Sequence, residues 1–290
     1  CPIDTYSGYG ARSRDFVKRV IEARADWDVK IISQRWNNTR FEYLKDHKEF
    51  DLLSRIVPNL TSQPDVWMQI TVPNEFQAIG KYNIGVTAGI ETTLCHMEWI
   101  EGCNRMNMVL TSSEHSKSVF EQTVWTMEDK RTKQKKEIRL AKPVHVLFEG
   151  VRTDTYFKTQ EIDLPELSSI KEKFCYLFIG HWMQGEFGHD RKNVGYTIKA
   201  FLETFKNKSN PPALILKTHQ VGTSIMDREK ILDKIASIRK SVKGTLPNIY
   251  LLHGEMTDSE INQLYNHPKV KAMLSLNKGE GFGRPLLEFT

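Results

Sequence analysis

The sequence lacks the long apolar segments that a membrane-spanning helix requires. No window of its 290 residues approaches about 18 consecutive apolar residues, and its start shows no signal-peptide pattern. Cysteine is scarce: the four thiols belong to Cys1, Cys95, Cys103 and Cys175, without a C-x-x-C pair or metal-ligand spacing. We therefore interpret them as reduced thiols and expect a cytoplasmic protein with no transmembrane segment.

Several catalytic signatures are also missing. The chain has no G-x-S-x-G elbow and no recognisable Cys/His dyad, which argues against the common covalent hydrolases. Its histidines, among them His96, His115, His181 and His219, do not form a recognisable metal cluster. Lys and Arg outnumber Asp and Glu by 41 to 36, and this net charge of +5 is compatible with an anionic ligand without requiring one.

Basic residues are concentrated in the run KRTKQKKEIR at 130–139. Such a run is typical of a solvated hairpin or loop, and it also fits contact with a phosphate-rich partner. Both interpretations stay open at this point.

Short apolar runs recur along the chain and alternate with helical or mixed segments, a pattern that predicts parallel sheets covered by helices. The runs fall at 28–34, 65–72, 82–89, 107–113, 174–182, 213–219, 248–254 and 270–276. The first four runs are separated from the last four by a segment of different composition, which indicates two α/β modules. The polar segment 158–172 is predicted to link them. Ligands bind beyond the carboxyl ends of such strands. Two sheets facing each other would form an interdomain cleft there.

The segment GEGFGRPLLE, residues 279–288, follows the last of these apolar runs. Pro285 suits the first turn of a helix, which would place the backbone of 281–283 at the helix N-terminus. Glycines there allow a phosphate to approach the exposed N–H groups, and Glu280 and Glu288 would flank the ligand and accept hydrogen bonds from its hydroxyls. The plain alternative is a turn and a capped helix with two solvated carboxylates.

This segment resembles the Glu-x7-Glu signature of retaining GT-B glycosyltransferases of the group-1 or family-4 type. Other stretches agree in order and spacing, including GYGARSRDF near the start and the strand, basic loop and helix of 178–201. The resemblance covers nearly the whole chain. It implies an acceptor-side Rossmann-like domain at 1–160 and a nucleotide-sugar donor domain at 170–290. Because members of the family continue past the motif, we expect the donor domain to be incomplete here.

The resemblance also implies roles for individual residues. Lys192, and less directly Arg191, would contact the donor's pyrophosphate. Glu280 would hold sugar hydroxyls and Glu288 the ribose, and the segment 254–260 would contact the nucleobase. Further donor contacts would come from Gly8, Gly10, Gly281, Phe282 and Gly283.

Two positions are less direct matches. Many members have an arginine soon after the glycine that follows the donor strand, but Gly180 is followed here by His181. Lys217 on the next strand could supply that second phosphate contact instead. Glu91 is the candidate polar group on the acceptor side.

The function that the resemblance implies is transfer of a hexosyl or pentosyl group from a nucleotide-diphosphate sugar, with retention of configuration and without a metal or other cofactor. Negative charge that builds on the departing diphosphate requires cations there. The acceptor is open between a glycan, a lipid-linked precursor and a modified base in DNA. A non-catalytic nucleotide-sugar-binding or scaffold protein is the alternative. A two-carboxylate hydrolase is disfavoured, because the glycine-rich backbone suits phosphate better.

Overall fold

The computed structural model of the protein describes residues 1–128, 131, 133–183, 187–220 and 222–290. The chain divides into two compact units, Cys1–Glu149 and Gly150–Thr290. Each is an α/β unit with its own parallel sheet. The predicted α/β class, with two sheet-containing modules in series, is therefore confirmed.

The first unit is built on a four-stranded parallel sheet with helices between its strands. Its strand order is β1-β2-β3-β6, with a separate β4-β5 hairpin. In chain order the elements are α1 Gly8–Ala23, α2 Tyr43–Asp46, α3 Phe50–Ser54, β1 Val66–Ile70, β2 Tyr82–Thr87, α4 Met97–Arg105, β3 Met108–Thr111, α5 Glu114–Gln122, β4 Val124–Glu128, β5 Lys135–Arg139 and β6 Val144–Val146. A short 3-10 turn, Pro73–Glu75, precedes β2.

One apolar run of this unit does not become a strand of the sheet. Within 28–34 a single bridge joins Ile31 to Ile56, through two backbone hydrogen bonds of 2.9 Å. Ile31 instead fills a small core with Ile3, Leu44 and Leu52. Its apolar character reflects burial in that core, so the expected strand is wrong here.

The basic run lies on the β4-β5 hairpin, although Lys130 and Thr132 lie outside the described residues. Ile138 on β5 is buried and joins the unit's main core, whereas the neighbouring β5 side chains are exposed. Arg139 pairs with Glu137, and Lys133 lies 3.4 Å from Glu128. The hairpin interpretation is confirmed, and part of its positive charge is balanced by these two carboxylates.

The second unit also has a four-stranded parallel sheet, ordered β10-β7-β8-β9. Its elements are β7 Cys175–Ile179, α6 Val194–Phe205, β8 Ala213–Lys217, α7 Ile225–Lys240, β9 Ile249–Leu252, α8 Asp258–Asn266, β10 Val270–Met273 and α9 Arg284–Phe289. Each of the four runs predicted between 174 and 276 contains one of these strands.

Both faces of this second sheet are buried, as the near-continuous apolar strands require. Phe178 and Leu216 pack towards α6 and α7, while the alternate residues Leu177 and Ile215 pack towards α8. Fully burying each such side chain contributes about 1.5–3 kcal/mol. The strands are thus fixed in register by two cores, and their carboxyl ends are held rigidly at one edge.

The strand order creates a switch point between β7 and β10. The chain runs outwards from β7 through β8 to β9 and then returns, placing β10 on the other side of β7. In open sheets, ligands bind outside the carboxyl ends of strands at such a point. The segments that follow β7 and β10 therefore define the place to look for a site.

The segment 158–172 belongs to the second unit. Leu164, Leu167 and Ile170 are buried in the core against α8, and the backbone N–H of Asp163 donates to Gln263 over 2.7 Å. The division of the chain falls between residues 149 and 150. These apolar side chains explain why the stretch is packed here and does not form the predicted linker.

Two glycines in the first turn of α1 have different surroundings. A Cβ on Gly10 would lie 2.2 Å from the carbonyl oxygen of Thr5, whereas one on Gly8 would have no atom within 4 Å. We expect Gly10→Ala to lower the free energy of unfolding by about 1–3 kcal/mol, since backbone must move to admit the methyl group. Gly8→Ala, the matched control, should leave stability unchanged or raise it by up to about 1 kcal/mol. Equal melting temperatures for the two variants would contradict this account.

Candidate functional site

A lysine and a glutamate from the segments after β7 and β10 meet at the carboxyl end of the second sheet. The ammonium of Lys192 pairs directly with the carboxylate of Glu280, 88 positions further along the chain. Both side chains are largely buried, at 15% and 23% exposure. Asn277 donates from its amide to the same carboxylate. The structure thus brings together two residues to which the resemblance assigned contacts with the donor's pyrophosphate and sugar; those roles stay predictions.

The loop that carries Lys192 is tied to the start of α6 and to the other loop. Asp190, which is buried, accepts a 2.8 Å hydrogen bond from the backbone N–H of Val194. Asn193 precedes α6 in a left-handed conformation, with φ of 54°, and its amide donates to the carbonyl of Leu276 over 3.0 Å. Arg191 donates to the Gly279 carbonyl, also over 3.0 Å. These contacts fix the Lys192 backbone beside residues 276–280.

Lys217 ends β8 at the same edge. It is only 8% exposed and donates to the carbonyl of Gly254. Burial lowers the pKa of Lys217 from 10.5 to about 8, while Glu260 acts in the opposite direction. Lys217 is therefore a desolvated cation, a suitable partner for an anion that enters this edge.

Two histidine rings lie next to these cations. His181 follows β7 and His219 follows β8, and their ring centroids are 4.4 Å apart. Burial first, and then the charge of Lys192, lower the pKa of His181. Burial and the neighbouring His181 lower the pKa of His219 to about 4. His181 stands close to where the resemblance leads one to expect an arginine, and it therefore places an imidazole ring near Lys192.

The second glutamate of the motif occupies a different environment. Glu288 lies in α9 with its side chain 9% exposed, and its two oxygens contact Arg284 Nε at 3.1 Å and the Tyr265 hydroxyl at 3.2 Å. Burial raises the pKa of Glu288, and the arginine opposes that shift. Glu288 is thus held in place by α9 and α8. Its proposed contact with a ribose stays a prediction.

The glycine segment leads into α9 as the sequence indicated. The helix begins at Arg284 with Pro285 in its first turn, after Gly283 in the left-handed region with φ of 81°. A residue other than glycine would be strained at that φ. The positive φ of this turn therefore explains why residue 283 is a glycine. The contacts proposed for Gly281 and Phe282 stay predictions.

The segment 254–260 caps α8. Thr257 and Glu260 form a reciprocal capping box, in which each side chain accepts from the other's backbone N–H. This pattern satisfies two backbone N–H groups at the start of the helix. A contact with a nucleobase stays a prediction.

In the first unit, Gly8 and Gly10 lie inside α1 and not in a loop before it. The backbone N–H of Gly10 donates to the capping hydroxyl of Ser7 over 2.9 Å, so the cap uses that group. Tyr9 anchors the turn to the end of β2, where its hydroxyl lies 3.0 Å from Thr87 Oγ1. Glu91, on the segment after β2, is exposed. Its acceptor-side role stays a prediction.

Within the described ranges, no group of three or more His, Cys, Asp or Glu side chains lies close enough to hold a metal ion. Over those same residues, the helices are too short or too polar to traverse a bilayer.

Some residues of this site were missed by sequence reasoning. Asn277 and Asp190 orient Glu280 and the start of α6, and His219 pairs with His181. A weak signal was present for Asp190, which precedes the first helical residue by four positions. The contact of His219 with His181 depends on which strands are neighbours, which no local pattern specifies. Asn277 contacts Glu280 only three positions further along the chain, within the same loop.

Comparison with known proteins identifies the fold. No family model and no curated protein matches the chain. Among solved structures, it is similar to an E. coli trehalose-6-phosphate structure bound with UDP-2-fluoro glucose, with a TM-score of 0.53 and 12% identity over 86% of this chain and 59% of that one. It is also similar to the trehalose-6-phosphate synthase OtsA, with a TM-score of 0.53 and 11% identity over 96% and 64%.

At such low identity the likeness shows the fold alone. The GT-B type of α/β fold implied by the Glu-x7-Glu resemblance is confirmed. The chain spans about three fifths of the length of these solved structures.

The ionisation of Glu288 gives a test of its burial. Because its folded pKa is raised above the ordinary value of 4.5, its contribution to stability is greatest below that pH and is lost as the pH rises through the folded pKa. Glu288→Gln cannot ionise. We therefore expect the melting temperature of this variant, relative to wild type, to rise by about 2 °C or more between about pH 4 and about pH 7. A difference that stays constant with pH would contradict the burial.

Proposed function

We propose that the protein transfers a sugar from a nucleotide-diphosphate-sugar donor to an acceptor with retention of configuration, and that the second unit binds the donor. One observation carries the proposal: Lys192 and Glu280 meet at the switch point between β7 and β10. This pair offers a cation for a phosphate and a carboxylate for sugar hydroxyls. The confirmed fold supports the proposal, because it is the fold in which the Glu-x7-Glu resemblance implies this activity.

The chemistry proposed for these groups is electrostatic. Breaking the bond from the sugar to the diphosphate leaves negative charge on the leaving group, and Lys192, Arg191 and Lys217 would stabilise it. A phosphate oxygen that binds Lys192 competes with Glu280 for the ammonium group. The freed carboxylate can then accept hydrogen bonds from the transferred sugar. Donor binding and sugar recognition are thereby coupled through one ion pair.

No metal enters this proposal, since the protein's own cations serve the diphosphate. For the acceptor we propose a glycan or a lipid-linked precursor, as the resemblance implies. The hairpin that would favour a DNA acceptor has two of its basic side chains paired with Glu137 and Glu128. A hexose or a pentose could be transferred, and a donor panel distinguishes them. A scaffold role would leave binding intact and show no turnover of any donor.

Replacement of Lys192 tests the phosphate contact. Lys192→Ala should reduce donor turnover by about 10²–10³-fold, the usual cost of losing one group that stabilises developing charge. Lys208→Ala, at an exposed lysine after α6, is the control for the loss of one positive charge. Turnover is measured as release of the nucleoside diphosphate from a panel of nucleotide sugars. Equal rates for the two variants, with both folded, would remove Lys192 from the mechanism.

Replacement of Glu280 separates the sugar from the diphosphate. In Glu280→Gln, Lys192 loses its anionic partner, so we expect a free nucleoside diphosphate to bind as tightly as in wild type or several-fold more tightly. The extra affinity of the nucleotide sugar over the diphosphate should fall, because a carboxylate that would accept sugar hydroxyls is missing. Isothermal titration with matched diphosphate and nucleotide-sugar pairs measures both. Parallel losses for the two ligands would instead indicate a structural role for Glu280.

A further inference from the structure

The histidine pair that follows β7 and β8 is fixed at the edge where a ligand would enter. The backbones of the two strands remain hydrogen-bonded beyond their ends, through Gly180 N to Lys217 O at 3.2 Å and Trp182 N to His219 O at 3.0 Å. His181 lies between these two contacts, and its ring packs on His219 with centroids 4.4 Å apart. The position of His181 is therefore set by the sheet itself.

The charged groups that act most strongly on His181 are all cations. Lys192 and Arg191 act from its own loop, and Lys217 acts from β8. The stem of Lys192 also passes close to Gly180, since a Cβ there would lie 3.7 Å from Lys192 Cδ. The Glu280 carboxylate at this edge pairs with Lys192.

Further titratable groups act on His219. Its pKa is affected by Lys217, by Asp227 of α7 and by His253, which follows β9. Asp227 is itself engaged, because His253 Nε2 lies 2.9 Å from its carboxylate. The groups around the two rings are therefore mainly cationic or potentially cationic. The Glu280 and Asp227 carboxylates are each paired within the protein, and Glu260 acts on Lys217.

Such an arrangement disfavours a positive charge on His181 until an anion arrives. Burial and Lys192 lower the pKa of His181, so its ring is neutral near neutral pH. An anion beside the ring would act in the opposite direction and raise its pKa. By thermodynamic linkage, the protein would then take up a proton as the anion binds.

We propose that His181 is a further phosphate-binding residue, which takes one proton from solvent when a diphosphate binds beside Lys192 and donates it as an N–H hydrogen bond to a non-bridging phosphate oxygen. The proton moves from solvent to a ring nitrogen, and no bond of the donor is broken in this step. The inference rests on the proposed function, in which a diphosphate binds at this edge.

The pH dependence has a defined sign. The bound pKa of His181 lies above its free pKa, so affinity for the diphosphate rises as the pH falls from the bound value to the free value, by at most about tenfold per pH unit for one proton. Lys217, whose pKa is about 8, affects the alkaline side of this range. Measurements below neutral pH therefore avoid the titration of Lys217, and the His181→Gln variant identifies the contribution of His181.

The test is calorimetric titration of the 290-residue chain with UDP-glucose, ADP-glucose and GDP-mannose as probes. Their phosphates are esterified on both sides and keep a fixed charge between about pH 5.5 and about pH 7.5, so any proton exchanged belongs to the protein. Titration in two buffers of different ionisation enthalpy counts the protons. We expect net proton uptake with the probe that binds, and an affinity that increases towards low pH.

Three variants give the inference its specificity. His181→Gln should abolish the proton uptake, and His181→Arg should restore tight binding without uptake, because an arginine is always charged. His145→Gln, at an exposed histidine of β6 in the first unit, should behave as wild type. Binding by wild type without proton uptake, or uptake that persists in His181→Gln, would overturn this inference and leave the proposed function standing. Failure of every probe to bind would overturn both.

Discussion

The parallel pairing of β10 with β7 is the constraint on which the candidate site depends. Val270 lies opposite Cys175 and Met273 opposite Leu177, and this register is fixed because Cys175, Leu177 and Val270 are buried in one core. A shift by one residue would turn those side chains to the opposite face of the sheet. With the register held, the loops that follow the two strands lie side by side, and Lys192 and Glu280 meet across 88 positions of sequence.

Electrostatics at this edge follow from that geometry. Lys192 is paired with Glu280, Arg191 donates to the Gly279 carbonyl, and Lys217 donates to the Gly254 carbonyl. Burial is the main cause of the lowered pKa values of Lys217 and His181, so positive charge at this edge carries a desolvation cost. In the proposed function a diphosphate adds negative charge at this edge, and its binding would then be linked to protonation of His181.

The sequence was most informative where local patterns determine structure. Buried strands such as β8 are continuous apolar runs, and Pro285 with Gly283 identified the start of α9. It was misleading at 28–34, where burial in a small core produced a strand-like run, and at 158–172, where spaced leucines pack on α8.

Local sequence patterns do not predict contacts between distant segments. The roles of Lys192 and Glu280 were predicted only through resemblance to a family, and neither their ion pair nor the pairing of Tyr265 with Glu288 was anticipated. Amide hydrogen exchange, mapped with and without a saturating nucleotide sugar, tests whether the donor binds at the switch point between β7 and β10. We expect added protection of residues 187–195 and 274–283 together, with little change in β1 and β2. Protection confined to the first unit, or absent from these two segments, would contradict this expectation.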